Sequence, residues 1–358
     1  MSSIFATMPV TATSMRAVQL TAWESEPEIR DVPVPQPGPG QLLLRVDAVG
    51  LCHSDLHVMS CPPGTLPYDL PMTLGHEVAG TVVEVGAGVA ASWVDRLAVV
   101  HGVWSCGTCH NCQRGQENHC LHLEGRVGCG LGRPGGLAEY VLVPAERQLV
   151  AAEGIAAAKL APLADAGLTA HHAIRLHRDA IAGDSTVMVI GVGGLGHLAV
   201  QILKQTTEAH IVAVDTRQAA LETARAHGAR TTAVSVDQAI DQLRRDRHSP
   251  LVDVVLDFVG ADSTMSQGAG ALAPGGRLVV IGGAGGAMSV AKGRDLPLGW
   301  DVSAPFWGPR QDLEGVVDLA RRGVVDAEIE IVRFSDTLDA YRRLREGAVR
   351  GRIVVVPD

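Results

Sequence analysis

The spacing of apolar residues changes character near residue 155. Before it, short runs are separated by glycine and proline. Met15–Leu20 opens the series. Leu42–Val46 follows a Pro-Gly-Pro-Gly turn, Gly80–Gly86 is a β-branched run closed by glycines, and Leu137–Val143 comes last. Such runs bounded by turn residues predict strands, so residues 15–150 read as β-rich. At Ile155–Leu163 the texture becomes alanine-rich and helical. Between 185 and 283, apolar runs at Thr186–Ile190, Ile211–Val214, Val252–Leu256 and Arg277–Ile281 alternate with amphipathic stretches at Leu195–Gln205, Gln218–His227 and Val236–Arg245. That β-α-β-α order predicts an α/β fold with a doubly wound parallel sheet, helices on both faces. Helices near Leu313–Arg321 and Leu338–Glu346 and a strand at Arg352–Val356 complete the pattern.

The length of 358 residues suggests two domains, at roughly 100–200 residues each. With 46% apolar and 19% charged residues, wholesale disorder is excluded. A net charge of −9 argues against a nucleic-acid partner or an anionic membrane surface. Aromatic residues, at 3%, are too few for base-stacking platforms. The most membrane-like run, Val187–Leu203, is broken by glycines, His197 and Gln201, so no membrane association is expected. Met1–Ser14 lacks the basic start and long apolar run of a signal peptide and reads as an extension ahead of the first strand. Seven cysteines, four of them crowded into Cys106–Cys120, suit metal binding in a reducing compartment better than a disulfide framework. A soluble, cytoplasmic protein is expected.

Gly191-Val-Gly193-Gly194-Leu195-Gly196 fits G-x-G-x-x-G. The hexamer alone is a weak signal in a chain with 41 glycines. Its setting strengthens it: it follows the strand Val187–Ile190 and opens a helix whose Leu195, Leu198, Ala199, Ile202 and Leu203 share one face. The next strand ends at Asp215, where a carboxylate can accept from the adenosine ribose hydroxyls and repel a 2′-phosphate, favouring NAD over NADP. Arg217 complicates this, since it could stack on adenine or tolerate a phosphate.

Cys106, Cys109, Cys112 and Cys120 have the spacing C-x2-C-x2-C-x7-C, suited to a closed tetrahedral zinc site that pins a loop. A ferredoxin cluster would need a shorter last interval followed by proline. A nucleic-acid-binding zinc ribbon is disfavoured by the few basic residues around the loop. Gly50-Leu-Cys52-His53-Ser54-Asp55-Leu-His57, followed by Gly75-His76-Glu77, offers a thiol, imidazoles, a hydroxyl and carboxylates within a short span. A catalytic zinc wants three protein ligands and one open position.

Taken in order, these stretches and the terminal Gly351-Arg352 closely resemble the zinc-dependent medium-chain alcohol dehydrogenases, from Met15 to Asp358. Asp165-Ala-Gly-Leu-Thr169 and Pro305-Phe-Trp-Gly308 resemble most the bacterial NAD-dependent secondary-alcohol enzymes. The resemblance implies a discontinuous GroES-like catalytic domain, residues 1–164 and 301–358, with a zinc lobe at about 104–122. A Rossmann NAD-binding domain would span 165–300. It implies two zinc ions per chain, one held by the four cysteines and one by Cys52, His76 and Asp165. Glu77 competes for the third place, since alcohol dehydrogenases that bind zinc through two cysteines and one histidine have a second cysteine where this chain has Asp165. Asp55 would orient His76.

Ser54 would take the substrate proton and pass it through the cofactor ribose to His57. Thr169 would touch the nicotinamide, Ile281, Gly282 and Gly283 would line the carboxamide, and His53 and Arg352 would meet the pyrophosphate. The implied reaction is reversible oxidation of secondary alcohols, and of primary ones as a further class, to ketones or aldehydes. A polyol or biosynthetic dehydrogenase of the same architecture is the alternative, and a nucleotide-binding protein without catalysis is the reading from another class. A homo-oligomer is implied, a tetramer before a dimer.

Overall fold

The computed structural model describes residues 12–246, 251–290 and 296–358. The expected extension at residues 1–14 lies outside the described residues up to position 11. By its internal contacts the chain forms two compact units. The first is residues 1–165, 309–317 and 327–358; the second is residues 166–308 and 318–326. The chain thus returns to the first unit at Pro309, later than the 301 expected, and Asp318–Asp326 goes with the second.

The first unit is built on a seven-stranded sheet. Its central strand, Leu42–Gly50, has Glu77–Val85 antiparallel on one side. On its other side lie Tyr140–Val143, along its first half, and Arg352–Val356, along its second. Leu42, Leu43 and Leu44 are all fully buried, because this strand has neighbours on both edges and cover on both faces. The register sets Gly50 opposite Glu77 on one edge and Val354 on the other. Three distant segments therefore meet where Leu42–Gly50 ends. Glu28–Pro33, Ser14–Leu20 and Met72–Thr73 form a second, three-stranded sheet. Met15 and Ala17 of that sheet pack with Leu43 and Ala138.

The second unit carries a wholly parallel sheet of six strands in the order Thr231–Ala233, His210–Val214, Thr186–Ile190, Val252–Asp257, Leu272–Val280, Asp301–Ser303. Chain order reverses on either side of Thr186–Ile190, the topological switch point at which this kind of sheet binds ligands. Every residue of Thr186–Ile190 and His210–Val214 is buried, as the continuous apolar runs require. The helix Val236–Asp246 buries Val236, Ala239 and Leu243, at i, i+3 and i+7, against this core. A fully buried leucine such as Leu243 contributes about 1.5–3 kcal/mol. The strand expected at Arg277–Ile281 begins earlier, at Leu272, with an irregular register against Val252 and Val254. No helix among the described residues is long and apolar enough to cross a membrane.

Candidate active site

Among the described residues, two groups of potential metal ligands lie in the first unit. In one, a ligand atom from each of Cys52, His76, Glu77 and Asp165 lies within 4.8 Å of the others. Cys52, His76 and Glu77 are delivered by the strand ends that meet at Gly50, and Asp165 by a separate segment. Cys52 precedes the helix His53–Ser60, which starts just after Gly50. Gly75, with φ of +92°, turns the chain into His76 and leads to the strand at Glu77, and a Cβ at Gly75 would lie 2.8 Å from the Leu137 backbone nitrogen. Asp165 follows the 3-10 turn Ala161–Ala164.

Asp165 Oδ2 lies 3.5 Å from Cys52 Sγ and 3.5 Å from His76 Nε2. Tetrahedral zinc with ordinary bond lengths places such donors about 3.3–3.8 Å apart, so sulfur, nitrogen and oxygen here fit that metal. The imidazole is held from behind: His76 Nδ1 lies 3.0 Å from Asp55 Oδ1, which directs Nε2 toward the other ligands. The other Asp55 oxygen accepts from the Cys52 backbone N–H at 3.1 Å, so one buried carboxylate fixes both ligands and caps the helix.

Glu77 is brought to the cluster, but one of its oxygens is bonded to the guanidinium of Arg352, and both side chains are buried. Burial pushes the Glu77 carboxyl upward and Arg352 pulls it back. Its second oxygen, Oε2, has no hydrogen-bond partner among the described residues and faces Gly50, where a Cβ would sit 1.9 Å away. Arg352, expected to meet the pyrophosphate, is buried at 4% exposure and donates through Nη2 to Glu77, while its Nε has no partner among the described residues. His53 is exposed at the start of its helix. Ser54 Oγ lies 3.7 Å from Cys52 Sγ, while His57 is exposed one turn on, its Nε2 3.8 Å from Cys61 Sγ.

A residue missed by sequence reading is Tyr341. Its side chain is fully buried on the helix Thr337–Arg345, and burial and the neighbouring Asp55 push its hydroxyl well above the ordinary range. The available signal was its place beside Ala340 and three residues before Leu344, on the apolar face of a helix whose other side carries arginines.

The second group is the four cysteines. Their sulfurs are 3.4 Å apart at Cys109–Cys112, 3.9 Å at Cys106–Cys112 and 4.0 Å at Cys109–Cys120, close to the edges of a zinc–sulfur tetrahedron, about 3.8 Å. Backbone N–H groups of Thr108 and Cys109 donate to Cys106 Sγ, and those of Cys106 and His122 donate to Cys120 Sγ. The Thr108 donors lower the Cys106 pKa, whereas burial raises that of Cys112. All seven cysteines are free; Cys129 is buried with its sulfur 3.7 Å from the Gly75 carbonyl.

In the second unit the glycine fingerprint joins Thr186–Ile190 to the helix Gly196–Thr206. The three glycines meet three different demands. Gly191 has φ of +85°, and a Cβ on Gly196 would lie 1.9 Å from the Gly191 carbonyl. At Gly193 a Cβ would meet only the Arg217 guanidinium, at 3.8 Å, so that stretch of backbone is open for approach. Gly194 and Leu195 complete the turn. Asp215 closes the neighbouring strand, its side chain 6% exposed.

Ile281 and Gly282 follow Leu272–Val280 and both donate backbone N–H groups to the Asp257 carbonyl. Thr169 is buried on the helix Ala166–Leu176. Asp257, also missed from the sequence, accepts from the N–H groups of Val259 and Gly260 and from the Thr264 hydroxyl, fixing the loop after its strand. A carboxylate ending a buried apolar run was its signal.

Residues 38–153 match the alcohol dehydrogenase GroES-like domain, and residues 194–322 match the zinc-binding dehydrogenase domain. An NAD-dependent alcohol dehydrogenase of Sulfolobus acidocaldarius is 33% identical, over 95% of this chain and 99% of its own. The chain belongs to the zinc-binding, medium-chain alcohol dehydrogenase family. The alcohol dehydrogenase of Aeropyrum pernix superposes with a TM-score of 0.88 at 32% identity, covering 96% of this chain and 100% of that one. Acetophenone reductase of Geotrichum candidum, solved with NAD, gives 0.85 at 32% identity, covering 97% and 98%. The expected architecture, a GroES-like part with a Rossmann-type parallel sheet, is the one observed.

Proposed function

We propose that this protein is an NAD-dependent zinc alcohol dehydrogenase that interconverts secondary alcohols and ketones, and primary alcohols and aldehydes as a further class. The observation that carries this reading is the convergence of Cys52 Sγ, His76 Nε2 and Asp165 Oδ2, with Asp55 behind the imidazole and the Ser54 hydroxyl beside the thiol. Relatives of similar identity bear the names NAD-dependent alcohol dehydrogenase and acetophenone reductase.

In this reading Cys52, His76 and Asp165 hold a catalytic zinc, and the four-cysteine lobe holds a structural one. The catalytic zinc, when bound, lowers the pKa of a ligated alcohol, and NAD accepts the hydride. The protein's residues do the rest. Asp55 keeps the His76 imidazole in the tautomer that presents Nε2. Ser54 receives the alcohol proton and His57, at the surface, returns it to solvent. Glu77, anchored by Arg352, stays behind the three ligands as a reserve carboxylate. His53 and Arg352 are the candidates for the pyrophosphate, since the bond to Glu77 uses one nitrogen of the Arg352 guanidinium and leaves its Nε without a partner among the described residues. The glycine loop, Asp215, Thr169 and the Ile281–Gly283 backbone form the cofactor's contacts, which assigns catalysis to the first unit and NAD to the second.

Kinship with bacterial secondary-alcohol enzymes rests on the Asp165–Thr169 and Pro305–Gly308 stretches; matches of comparable identity include archaeal enzymes. A cytoplasmic homo-tetramer completes the reading, in keeping with seven free thiols. The test is a steady-state panel of secondary, primary and polyhydroxy alcohols and their carbonyl products with NAD and NADP. Turnover of simple secondary alcohols with NAD is expected to lead. Exclusive use of polyols would replace the substrate assignment, and no turnover of any would remove the reading.

A further inference from the structure

Asp215 has both oxygens fully used. Oδ1 accepts from the Arg217 backbone N–H at 2.9 Å and from Arg217 Nε at 3.0 Å. Oδ2 accepts from the Val192 N–H at 2.9 Å and from Arg217 Nη2 at 3.0 Å. An ionised carboxylate offers about four acceptor sites, so these four donors fill it. Two of them are backbone groups, held by the strand end and the glycine turn. The other two come from one side chain, and that side chain is 52% exposed.

The arrangement conflicts with a simple role for Asp215. A ribose diol binding this carboxylate brings two hydroxyl donors and needs two acceptor sites. The sites it can take are those of the Arg217 fork, because the backbone donors cannot leave without opening the turn. The guanidinium, half in water, can leave at small cost. Its Nη2 already lies 3.8 Å from the Cβ position of Gly193, at the open point of the phosphate loop. Once displaced, the fork stays tethered two residues from Asp215, on the ribose side, with a geometry that suits phosphate.

We propose that Arg217 is a specificity-determining residue that works in two directions: it competes with the adenosine ribose for Asp215, and it is the counter-ion available to a 2′-phosphate. This rests on the dinucleotide reading of the second unit. Asp215 and Arg217 together form a neutral pair, so the barrier against a 2′-phosphate is lower than that of a lone aspartate. Removing the arginine sharpens selection for the unphosphorylated ribose, and removing the aspartate frees the arginine for the phosphate.

The test is calorimetric titration of the full chain with 5′-AMP and with 2′,5′-ADP, which needs no turnover. Wild type is expected to favour 5′-AMP. Arg217→Ala should bind 5′-AMP about 2–5-fold more tightly, the gain from deleting an exposed competing ion pair. The same variant should bind 2′,5′-ADP about 10-fold more weakly, the loss of a charge-assisted fork. Asp215→Ala should invert the preference, and Asp215→Ala with Arg217→Ala should lose the inverted preference. If Asp215→Ala does not fold, the Arg217→Ala pair of titrations decides alone. Unchanged affinities in Arg217→Ala would overturn the proposal. Weaker 5′-AMP binding would also overturn it, because it would place Arg217 on the adenine. Absence of binding of either nucleotide to wild type would remove the dinucleotide reading and the proposal with it.

Discussion

The two metal-ligand groups of the first unit are built on opposite plans. The four sulfurs come from one loop, Cys106 to Cys120, and the loop's own N–H groups steady them. The Cys52 group draws on residues from three segments, Cys52, His76–Glu77 and Asp165, and its supports come from further away still: Tyr341 and Arg352 lie near the chain's other end. A local group can be closed and self-sufficient. A dispersed one depends on the sheet register that sets Gly50 against Glu77 and Val354, and on buried polar side chains that cannot be lost singly without leaving a partner unmatched. The first plan suits a clamp. The second suits a site that must keep one position open.

The sharpest test of this contrast is Cys52→Ala. Turnover should fall by about 10³-fold or more, the loss of several kcal/mol of transition-state stabilisation. Zinc content should drop from two to one per chain, the remaining ion staying in the cysteine lobe. Retention of two ions after the substitution would show that the dispersed group does not hold metal through Cys52.

The same contrast explains what could be read from the sequence. The cysteine lobe was legible because its ligands are neighbours in the chain and their spacing alone limits the chemistry. The strands Thr186–Ile190 and Arg352–Val356 were legible to the residue, since continuous apolar runs end sharply at glycine or proline. The helix Ala166–Leu176 was not anticipated: eight of its eleven residues are buried, so it lacks the polar face that marks a surface helix. Asp262–Gly270, rich in serine and glycine, was missed because its helicity is imposed by packing; a Cβ at Gly268 would lie 3.0 Å from Val255 Cγ1. The Glu77–Arg352 pair spans 275 residues of sequence, and no local pattern marks the two as partners.

Cys109→Ser examines the other side of the comparison. If the lobe is a clamp, the thermal midpoint should fall by roughly 5–10 °C, corresponding to about 2–4 kcal/mol, as seen by calorimetry. Turnover per folded molecule at low temperature should stay within about threefold of wild type, since a clamp acts on stability and not on the barrier. An unchanged midpoint would deny the lobe its structural role.

The smallest expected effect is also the most discriminating. Tyr341→Phe keeps the buried ring and removes the hydroxyl near Asp55. It should weaken retention of the catalytic zinc by about tenfold, read by competition with a chelator, because outer groups that steady a ligand typically tune metal affinity by that order. The lobe's zinc should be untouched. Equal loss from both groups would mean that Tyr341 supports the fold at large, and the division between a local and a dispersed plan would be too simple.

For anyone wishing to reshape this catalyst, Gly50 sets a boundary. Any side chain there would have to evict the Glu77 carboxylate from the space it shares with Arg352. Variant libraries that include position 50 would therefore sample collapse of the site floor rather than new selectivity. Diversity is better placed at positions whose side chains have somewhere to go.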